Sequence, residues 1–252
     1  MSLLTVEHLS VTRRGRCVLD DVSFDIQPGE FVGLLGPNGT GKTSLMRAAL
    51  GLIASQGRSS LMQMPADKRA RAVAWMPQSR EIAWPIPVER LVALGRLPHL
   101  PAGQRLPRAD QDLVDKAIRR MGLEPFRHRA ASRLSGGEQA RALIARAMAQ
   151  DTPLLMADEP AAGLDPAHQI ATMQVFADLA RDGRAALVSL HDLGLAARHC
   201  TRLILLAEGG ILADGTPAEV LTPDLMARAF GISVWHQQTA QGPVFQPLAV
   251  LS

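Results

Sequence analysis

The sequence of 252 residues has no tyrosine, and aromatic residues make up only 4% of it. Its two cysteines, Cys17 and Cys200, match no metal-binding or redox spacing, which favours free thiols and a reducing compartment. No run of about 18 apolar residues occurs, so we predict no membrane-spanning helix. The first seven residues lack the basic start and apolar core of a secretory signal. We therefore expect a cytosolic protein that reaches a membrane only through another chain.

The composition is that of an ordinary globular protein, because 47% of the residues are apolar and 20% are charged. These values exclude collagen-like, disordered and coiled-coil chains. The net charge is only +3, but residues 96–133 contain nine basic and four acidic side chains. This segment is either a solvated helical face or a surface that meets anionic lipid or an acidic partner. Its single aromatic residue, Phe126, argues against a nucleic-acid partner.

Short apolar runs that alternate with helical segments predict an α/β fold with a mainly parallel sheet. The expected buried strands are residues 31–35, 72–76, 154–157, 185–190 and 203–206. Their order predicts a P-loop NTPase (RecA-like) core, because the first of them runs into a glycine-rich loop and a helix.

The ends and the middle of the chain have different patterns. Residues 3–11 and 22–26 alternate with period two around the turn-prone Arg14-Gly15, which predicts an antiparallel β subdomain. Residues 84–150 have apolar positions at helical spacing, which predicts an inserted helical subdomain. Near the end we expect a helix from Thr222-Pro223 to Phe230 and a hairpin at 234–247 that turns at Gln241-Gly242. The predicted organisation is one domain, with 1–83 and 152–252 as the nucleotide-binding core and 84–151 as the helical subdomain.

The loop Gly36-Pro37-Asn38-Gly39-Thr40-Gly41-Lys42-Thr43 fits the pattern G-x-x-x-x-G-K-T between a predicted strand and a predicted helix. Its glycines let backbone N–H groups surround phosphate oxygens, and the helix N-terminus adds partial positive charge. Lys42 would reach the β and γ phosphates, and the Thr43 hydroxyl would bind Mg²⁺. This loop predicts a nucleoside triphosphate site.

Two carboxylates end the predicted strand at 154–157. Asp158 is suited to holding Mg²⁺ through water, and Glu159 to polarising an attacking water. Such a pair is usually a solvated turn, but the upstream phosphate loop favours a catalytic pair.

The segment Leu134-Ser135-Gly136-Gly137-Glu138 combines a capping box with two glycines. Ser135 and Glu138 are explained as the cap of a helix that runs to Gln150. The capping box does not explain Gly136 and Gly137, because glycine costs about 1 kcal/mol of stability relative to alanine inside a helix. Bare backbone at a helix N-terminus binds anions, so this tip predicts a second phosphate contact.

Together these motifs resemble the ATP-binding-cassette (ABC) ATPases over nearly the whole chain. The resemblance implies that Gln78 is the Q-loop residue, that Ala162-Gly163-Leu164-Asp165 is the D-loop and that His191 is the switch histidine. It also implies that Ser44 contacts phosphate and that Gln78 lies near Mg²⁺. Without the other motifs, Gln78 would be a surface loop residue and His191 a strand-end histidine. The implied catalytic set is Glu159, His191, Lys42 and Gln78, with ATP and Mg²⁺ as cofactors.

The resemblance further implies a head-to-tail homodimer, in which each ATP lies between one phosphate loop and Ser135-Gly136-Gly137 of the other chain. The sequence departs from the family where most members place an aromatic ring against adenine, because Arg14 stands there. A guanidinium plane can stack on a base, so Arg14 or Arg13 could replace the ring with weaker base selectivity.

The family includes transporters, DNA-repair proteins and translation factors, and this sequence favours a transporter. Only 56 residues separate Gln78 from Ser135, which excludes the long coiled-coil arms of repair members. Residues 84–88 predict a groove for a permease helix or a strip of subdomain core. Residues 92–100 resemble importers of iron siderophores, haem and cobalamin, with haem slightly favoured.

The expected partners are therefore a two-copy transmembrane permease and, indirectly, a periplasmic substrate-binding protein, with no nucleic acid. The expected location is the cytoplasmic face of the inner membrane. An exporter motor and a soluble nucleotide-dependent regulatory factor remain the alternatives.

Overall fold

The computed structural model describes residues 1–79, 81–82, 84–101, 103–240 and 242–251. The chain forms two compact units, which are described separately below. The first unit is residues 1–64 with 176–252, and the second is residues 65–175. The helical subdomain predicted at 84–151 stays a prediction, and the end of the preceding segment, Ala83, lies outside the described residues.

The strands are, in chain order, β1 (Leu4–Arg13), β2 (Arg16–Ile26), β3 (Phe31–Leu35), β4 (Gln56–Ser59), β5 (Val73–Met76), β6 (Leu154–Asp158), β7 (Ala185–Ser189), β8 (Arg202–Ala207), β9 (Gly210–Gly215), β10 (Ile232–Thr239) and β11 (Gly242–Val250). The helices are α1 (Lys42–Ala49), α2 (Ala66–Ala72), α3 (Val88–Ala93), α4 (Arg108–Arg120), α5 (Gly136–Ala149), α6 (Pro166–Arg181), α7 (Leu193–His199), α8 (Pro217–Val220) and α9 (Pro223–Phe230). Short 3₁₀ segments lie at Leu94–His99, Glu124–Phe126 and Ala131–Arg133.

A parallel sheet forms the core of the first unit. β3 pairs in parallel with β7 on one side and with β8 on the other, and β9 joins β8 in antiparallel orientation. Every residue of β3 and β7 is buried, as the continuous apolar runs predicted. Phe31 packs on Phe176 with ring centroids 5.8 Å apart. The parallel order places the carboxyl ends of β3 and β7 at one edge of the sheet, where the site residues begin.

An antiparallel sheet of β2, β1 and β4 completes this unit with the C-terminal elements. Arg14 and Gly15 have φ values of +50° and +76°, the left-handed pair that a two-residue hairpin turn requires. The sequence placed the start of β2 at Val22, whereas it begins at Arg16. Helix α9 begins after Thr222, whose hydroxyl accepts a hydrogen bond from the Leu225 amide, as predicted. β10 and β11 form the predicted terminal hairpin, although Gln241 of its expected turn lies outside the described residues.

The second unit contains β5 and β6, which pair in parallel, and the helices from α2 to α5. The predicted strand at 72–76 is one residue shorter, because Ala72 ends α2. Between residues 84 and 149 the described elements are helical, apart from an isolated bridge between Pro87 and Ala130. The predicted helical secondary structure of this segment therefore agrees with the structure.

The basic segment 96–133 is not simply a solvated face. Arg96 is only 6% exposed, and its guanidinium forms an ion pair with Asp110 at 2.6 Å. Arg127 is also paired, with Asp115 at 2.7 Å and Glu124 at 3.1 Å. The hydrogen bonds that Arg127 donates to Glu124 and Asp115 raise the pKa of Arg127 above its ordinary value. Two of the nine basic residues thus serve the internal packing of the helices. Among the described residues, no helix combines the length and the apolarity that crossing a bilayer requires.

Candidate functional site

The glycine-rich loop joins β3 to α1 in a conformation that only glycine tolerates at key positions. Gly36, Gly39 and Gly41 have positive φ values of 146°, 85° and 94°. A Cβ at Gly36 would lie 2.4 Å from the Leu206 carbonyl oxygen, so no other residue fits there. Helix α1 begins after Gly41 with no acidic residue in its first turn, and within the described residues no side chain caps it. The backbone N–H groups at the start of α1 therefore suit the binding of an anion such as a phosphate.

Lys42 stands at the start of α1 and reaches back across the loop. Its side chain is 7% exposed, and Nζ donates hydrogen bonds to the carbonyl oxygens of Gly36 at 2.6 Å and Pro37 at 3.1 Å. The Thr40 hydroxyl donates to the same Pro37 carbonyl at 2.8 Å. Asn38 and Gly39 at the tip are exposed, whereas Ser44 is buried. The loop therefore holds the ammonium group of Lys42 beside its own backbone, where a phosphate would meet it.

His191 lies at the same edge of the sheet as the glycine-rich loop. β3 and β7 are in register at Leu34 and Ser189, so Gly36 and His191 both follow the carboxyl ends of adjacent parallel strands. Asp192, the neighbour of His191, caps α7 by accepting a hydrogen bond from the Leu195 amide at 2.8 Å. Asp192 thus has a structural role of its own, as the N-cap of α7.

In the second unit, Gln78 and the two carboxylates lie at the carboxyl ends of another pair of parallel strands. Met76 of β5 pairs with Ala157 of β6, which places Gln78 beside Glu159. The Gln78 Nε2 atom donates a hydrogen bond to Glu159 Oε2 at 3.0 Å. Asp158 is 1% exposed at the end of β6. Glu159 has a φ of +50°, an unfavourable value for this residue type that is often found at functional sites.

Residues 134–138, which correspond to the signature segment that the resemblance implies, open α5 with the predicted capping box. The Glu138 amide donates to the Ser135 hydroxyl at 3.3 Å, and the Ser135 amide donates to Glu138 Oε2 at 2.7 Å. The backbone bond from Ser135 lowers the pKa of Glu138 below its ordinary value. A Cβ at Gly136 would meet nothing within 4 Å, and one at Gly137 only the Leu164 side chain at 3.5 Å. Packing within the chain therefore does not require either glycine.

The D-loop segment, residues 162–165, leads into α6. Its Leu164 side chain is the one that lies nearest to Gly137. Asp165 begins the helix by accepting a hydrogen bond from the His168 amide at 3.0 Å, and its carboxylate also contacts His168 Nδ1 at 2.5 Å. These bonds lower the pKa of Asp165.

Arg14 lies beside a cavity of about 630 Å³ in the first unit. The lining residues are Val11, Thr12, Arg13, Arg14, Ile53 and Ala54. The cavity thus combines two guanidinium groups with small apolar side chains, a surface on which a planar base could stack.

The comparisons with known proteins decide the family. The sequence model of the ABC transporter family matches residues 19–162. This chain belongs to the ABC transporter family. It is therefore an ATP-binding subunit and an ATPase, and the earlier resemblance is confirmed.

Two relatives and one solved structure show how far the similarity extends. The hemin import ATP-binding protein HmuV of Pseudomonas aeruginosa is 41% identical over 94% of this chain and 95% of its own length. The cobalamin import ATP-binding protein BtuD of Halobacterium salinarum is 40% identical over 92% of this chain and 59% of its own length. A chain of an inward-facing metal-chelate type ABC transporter superposes with a TM-score of 0.86 at 24% identity, covering 99% of this chain and 98% of that one. The last match confirms the predicted P-loop NTPase fold.

The sequence motifs do not include two residues of the second unit that make long-range polar contacts, Gln150 and Arg96. Gln150, which the sequence predicts only as the end of a helix, donates hydrogen bonds to the carbonyl oxygens of Ala70 and Val73, in the segment that leads to Gln78. Arg96 belongs to the basic segment 96–133, but its side chain is buried. Neither belongs to a sequence motif, and their partners are distant in the chain.

Proposed function

We propose that this ABC ATPase powers the uptake of a metal chelate, haem in the first instance, through a separate membrane permease. The observation that carries the proposal is the 41% identity to a hemin import ATP-binding protein over nearly the full length of both chains. The cobalamin import relative is 40% identical but is matched over only 59% of its length. Haem is therefore the first substrate to test, and cobalamin and iron siderophores are the competitors.

In this proposal the first unit binds ATP. Residues 36–44 surround the triphosphate, with Lys42 on the β and γ phosphates, and His191 contacts the γ-phosphate. In the part of the chain that the structure describes, no side chain caps the start of α1, and a Cβ at Gly39 would meet nothing within 4 Å; both observations support this assignment. Arg14 provides a surface for the base.

The hydrolytic residues of the second unit are Glu159, which polarises the attacking water, and Gln78, which lies beside Glu159 as a ligand near Mg²⁺. The contact between them supports this pairing. In the second unit, Gln78 and Asp158 would hold Mg²⁺, which prefers the amide and carboxylate oxygens that these residues provide. The Thr43 hydroxyl of the first unit is the same kind of oxygen ligand. When bound, the ion neutralises charge that spreads over the γ-phosphate.

A homodimer completes the proposed site. Ser135, Gly136 and Gly137 of one chain would contact the nucleotide held by its partner. The support is that neither glycine is required by contacts within one chain, although each lowers the helix propensity of α5.

The proposed permease contact begins at Trp84, whose side chain is 74% exposed. An exposed tryptophan followed by prolines suits a short helix of a partner. Val88, at the other end of the sequence-predicted groove, is fully buried, so that end belongs to the core of the helices. The proposed assembly has two permease copies on the membrane, a periplasmic binding protein outside and this chain on the cytoplasmic face.

Disruption of this chain in its own organism tests the substrate. We expect loss of growth on haem as sole iron source, restored by the intact chain and not by Glu159→Gln. Normal growth on haem would contradict the haem assignment, and failure with cobalamin or a siderophore would name the substrate instead.

A further inference from the structure

A polar junction at the end of α5 joins three segments of the second unit. Its centre is Gln150, and its other members are Arg96, His99, Ala70 and Val73; we call this set the Gln150 junction. All its members lie among the described residues, and none of them belongs to the motifs that bind or hydrolyse ATP.

The Gln150 side chain holds the start of β5. Its Nε2 atom donates hydrogen bonds to the carbonyl oxygens of Ala70 at 2.6 Å and Val73 at 3.1 Å. Ala70 lies in the last turn of α2, and Val73 is the first residue of β5. One amide group therefore fixes the point where the helix ends and the strand begins.

The Gln150 main chain is held from the opposite side. Arg96 Nη1 donates to the carbonyl oxygens of Ala149 at 2.9 Å and Gln150 at 3.0 Å, and His99 Nε2 donates to the Gln150 carbonyl at 2.8 Å. The ion pair with Asp110 anchors the Arg96 guanidinium in a buried position. Cationic and polar donors at a helix C-terminus satisfy its last carbonyl groups.

The backbones in the junction are in close contact, so it has little freedom to adjust. A Cβ at Gly95 would lie 2.2 Å from the Arg146 carbonyl oxygen of α5. The 3₁₀ segment Leu94–His99 therefore sits directly against the end of α5. It also accepts, at the Pro98 carbonyl, a hydrogen bond of 2.9 Å from Arg71 Nε of α2.

Helix α2 has no fully buried side chain to anchor it. None of its seven residues, Ala66–Ala72, is buried. The hydrogen bonds from Gln150 and to Pro98 are polar contacts at the point where α2 delivers the chain into β5. Pairing with β6 holds the four residues of β5 along their length, and the Gln150 amide adds a hydrogen bond at the first of them.

β5 leads directly to the catalytic groups. It pairs with β6 from Val73–Leu154 to Met76–Ala157, and two residues later Gln78 donates to Glu159. A displacement at Val73 would therefore move Gln78 relative to Glu159, because only residues 74–77 separate Val73 from Gln78.

We propose that Gln150 is a positioning residue for Gln78, and that it makes the 3₁₀ segment, the end of α5 and the start of β5 move together. Since Ser135 caps the start of α5, the same helix links the signature segment to β5. The inference rests on the roles proposed above for Gln78 and Glu159. It adds a route by which the position of the helices is transmitted to the hydrolytic carboxylate.

The test is Gln150→Glu in the full chain, which keeps the size of the side chain but replaces the donor by a carboxylate facing two carbonyl oxygens. We expect faster amide hydrogen exchange at residues 73–76, and kcat for ATP hydrolysis lower by roughly ten-fold, because small displacements of catalytic groups cost one to two orders of magnitude. KM for ATP should stay within about two-fold, since the phosphate loop is untouched. Gln150→Ala, which removes the donor without adding charge, should give the same pattern more weakly.

Gln111→Glu is the matched control. Gln111 Nε2 also donates to an oxygen, Asp115 Oδ1 at 3.0 Å, in the same unit. This variant should leave exchange in β5 and kcat unchanged. Equal effects of both substitutions would overturn the proposal.

A double-mutant cycle separates positioning from general damage. In a Gln78→Ala background, Gln150→Glu should lower kcat no further, because the group it positions is gone. An equal loss in both backgrounds, or unchanged exchange at 73–76, would overturn the inference. If Gln78→Ala alone kept full activity, the role proposed for Gln78 would fail, and faster exchange in β5 would still support a positioning role for Gln150 on the strand.

Discussion

The side-chain amide of Gln78 donates a hydrogen bond of 3.0 Å to the carboxylate of Glu159, across a sequence separation of 81 residues. The two residues follow adjacent parallel strands, and Glu159 is held with a φ of +50°. A strained residue persists only where its surroundings determine its conformation. A general base needs such a defined position, so the strain at Glu159 agrees with its proposed role. The contact links Gln78, which is expected near Mg²⁺, directly to the residue expected to activate water.

Glu159→Gln should abolish turnover while keeping ATP binding. The amide retains the size of the carboxylate but cannot accept a proton, so we expect kcat to fall by at least about 100-fold, as for loss of a general base. The dissociation constant for ATP should change by less than about three-fold. Steady-state hydrolysis and equilibrium binding measure the two effects. Glu7→Gln, on the exposed face of β1, is the control, and near-normal hydrolysis by Glu159→Gln would remove the proposed base.

Gly136→Ala should separate stability from activity. A Cβ at this position meets nothing within 4 Å, and alanine favours the helix by up to about 1 kcal/mol over glycine. We therefore expect an unchanged or slightly higher free energy of unfolding, together with a kcat lowered by more than about ten-fold. Urea unfolding and ATPase assays on the same preparation check both. A stable variant with full activity would show that the partner's nucleotide does not approach this glycine.

The sequence predicted the parts of the molecule that are encoded locally. The phosphate loop with β3 and α1, the capping box at Ser135 and the cap at Thr222 each depend on residues within one turn of each other. By contrast, β4 is a strand of the polar residues Gln56–Ser59, which has no alternating pattern and forms because it pairs with β1.

Burial of charge was the other feature that the sequence did not reveal. Arg96 looks like its basic neighbours in composition, and only the distant carbonyl groups of Ala149 and Gln150, together with Asp110, explain why it is buried. The contacts of Gln78 and Gln150 were hidden for the same reason, since each partner lies about 80 residues away. Local patterns specify elements, whereas these polar contacts depend on the tertiary arrangement of the unit.

The capping box at the signature should make stability depend on pH. The pKa of Glu138 is lowered by the hydrogen bond from the Ser135 amide, so its ionised form stabilises the folded state. That contribution is complete above the ordinary value near 4.5 and is lost as the pH falls through the lower folded-state pKa. Glu138→Ala should be less stable than the native chain at pH 7, by about 0.3–1 kcal/mol.

The difference between the native chain and Glu138→Ala should shrink as the pH falls below about 4.5 in urea titrations. Glu138→Gln is the control, because its amide oxygen accepts the same bond without titrating. Its advantage over Glu138→Ala should not depend on pH. A gap between native chain and alanine variant that stays constant down to pH 3 would contradict the ionic origin of the cap.

Arg14 should weaken the preference for adenine. It lies at a positive-φ turn beside a cavity that Arg13 also lines, so a base would stack on a guanidinium plane and not on an aromatic ring. We expect ATP and GTP to bind with dissociation constants within about five-fold, and Arg14→Tyr to tighten ATP relative to GTP by a few-fold, equivalent to about 1 kcal/mol. Competition between the two nucleotides for a fluorescent ATP analogue measures the ratio. Arg16→Tyr, at the start of β2 and outside the cavity lining, should leave the ratio unchanged; a strong preference of the native chain for ATP, or the same shift in both variants, would place the base elsewhere.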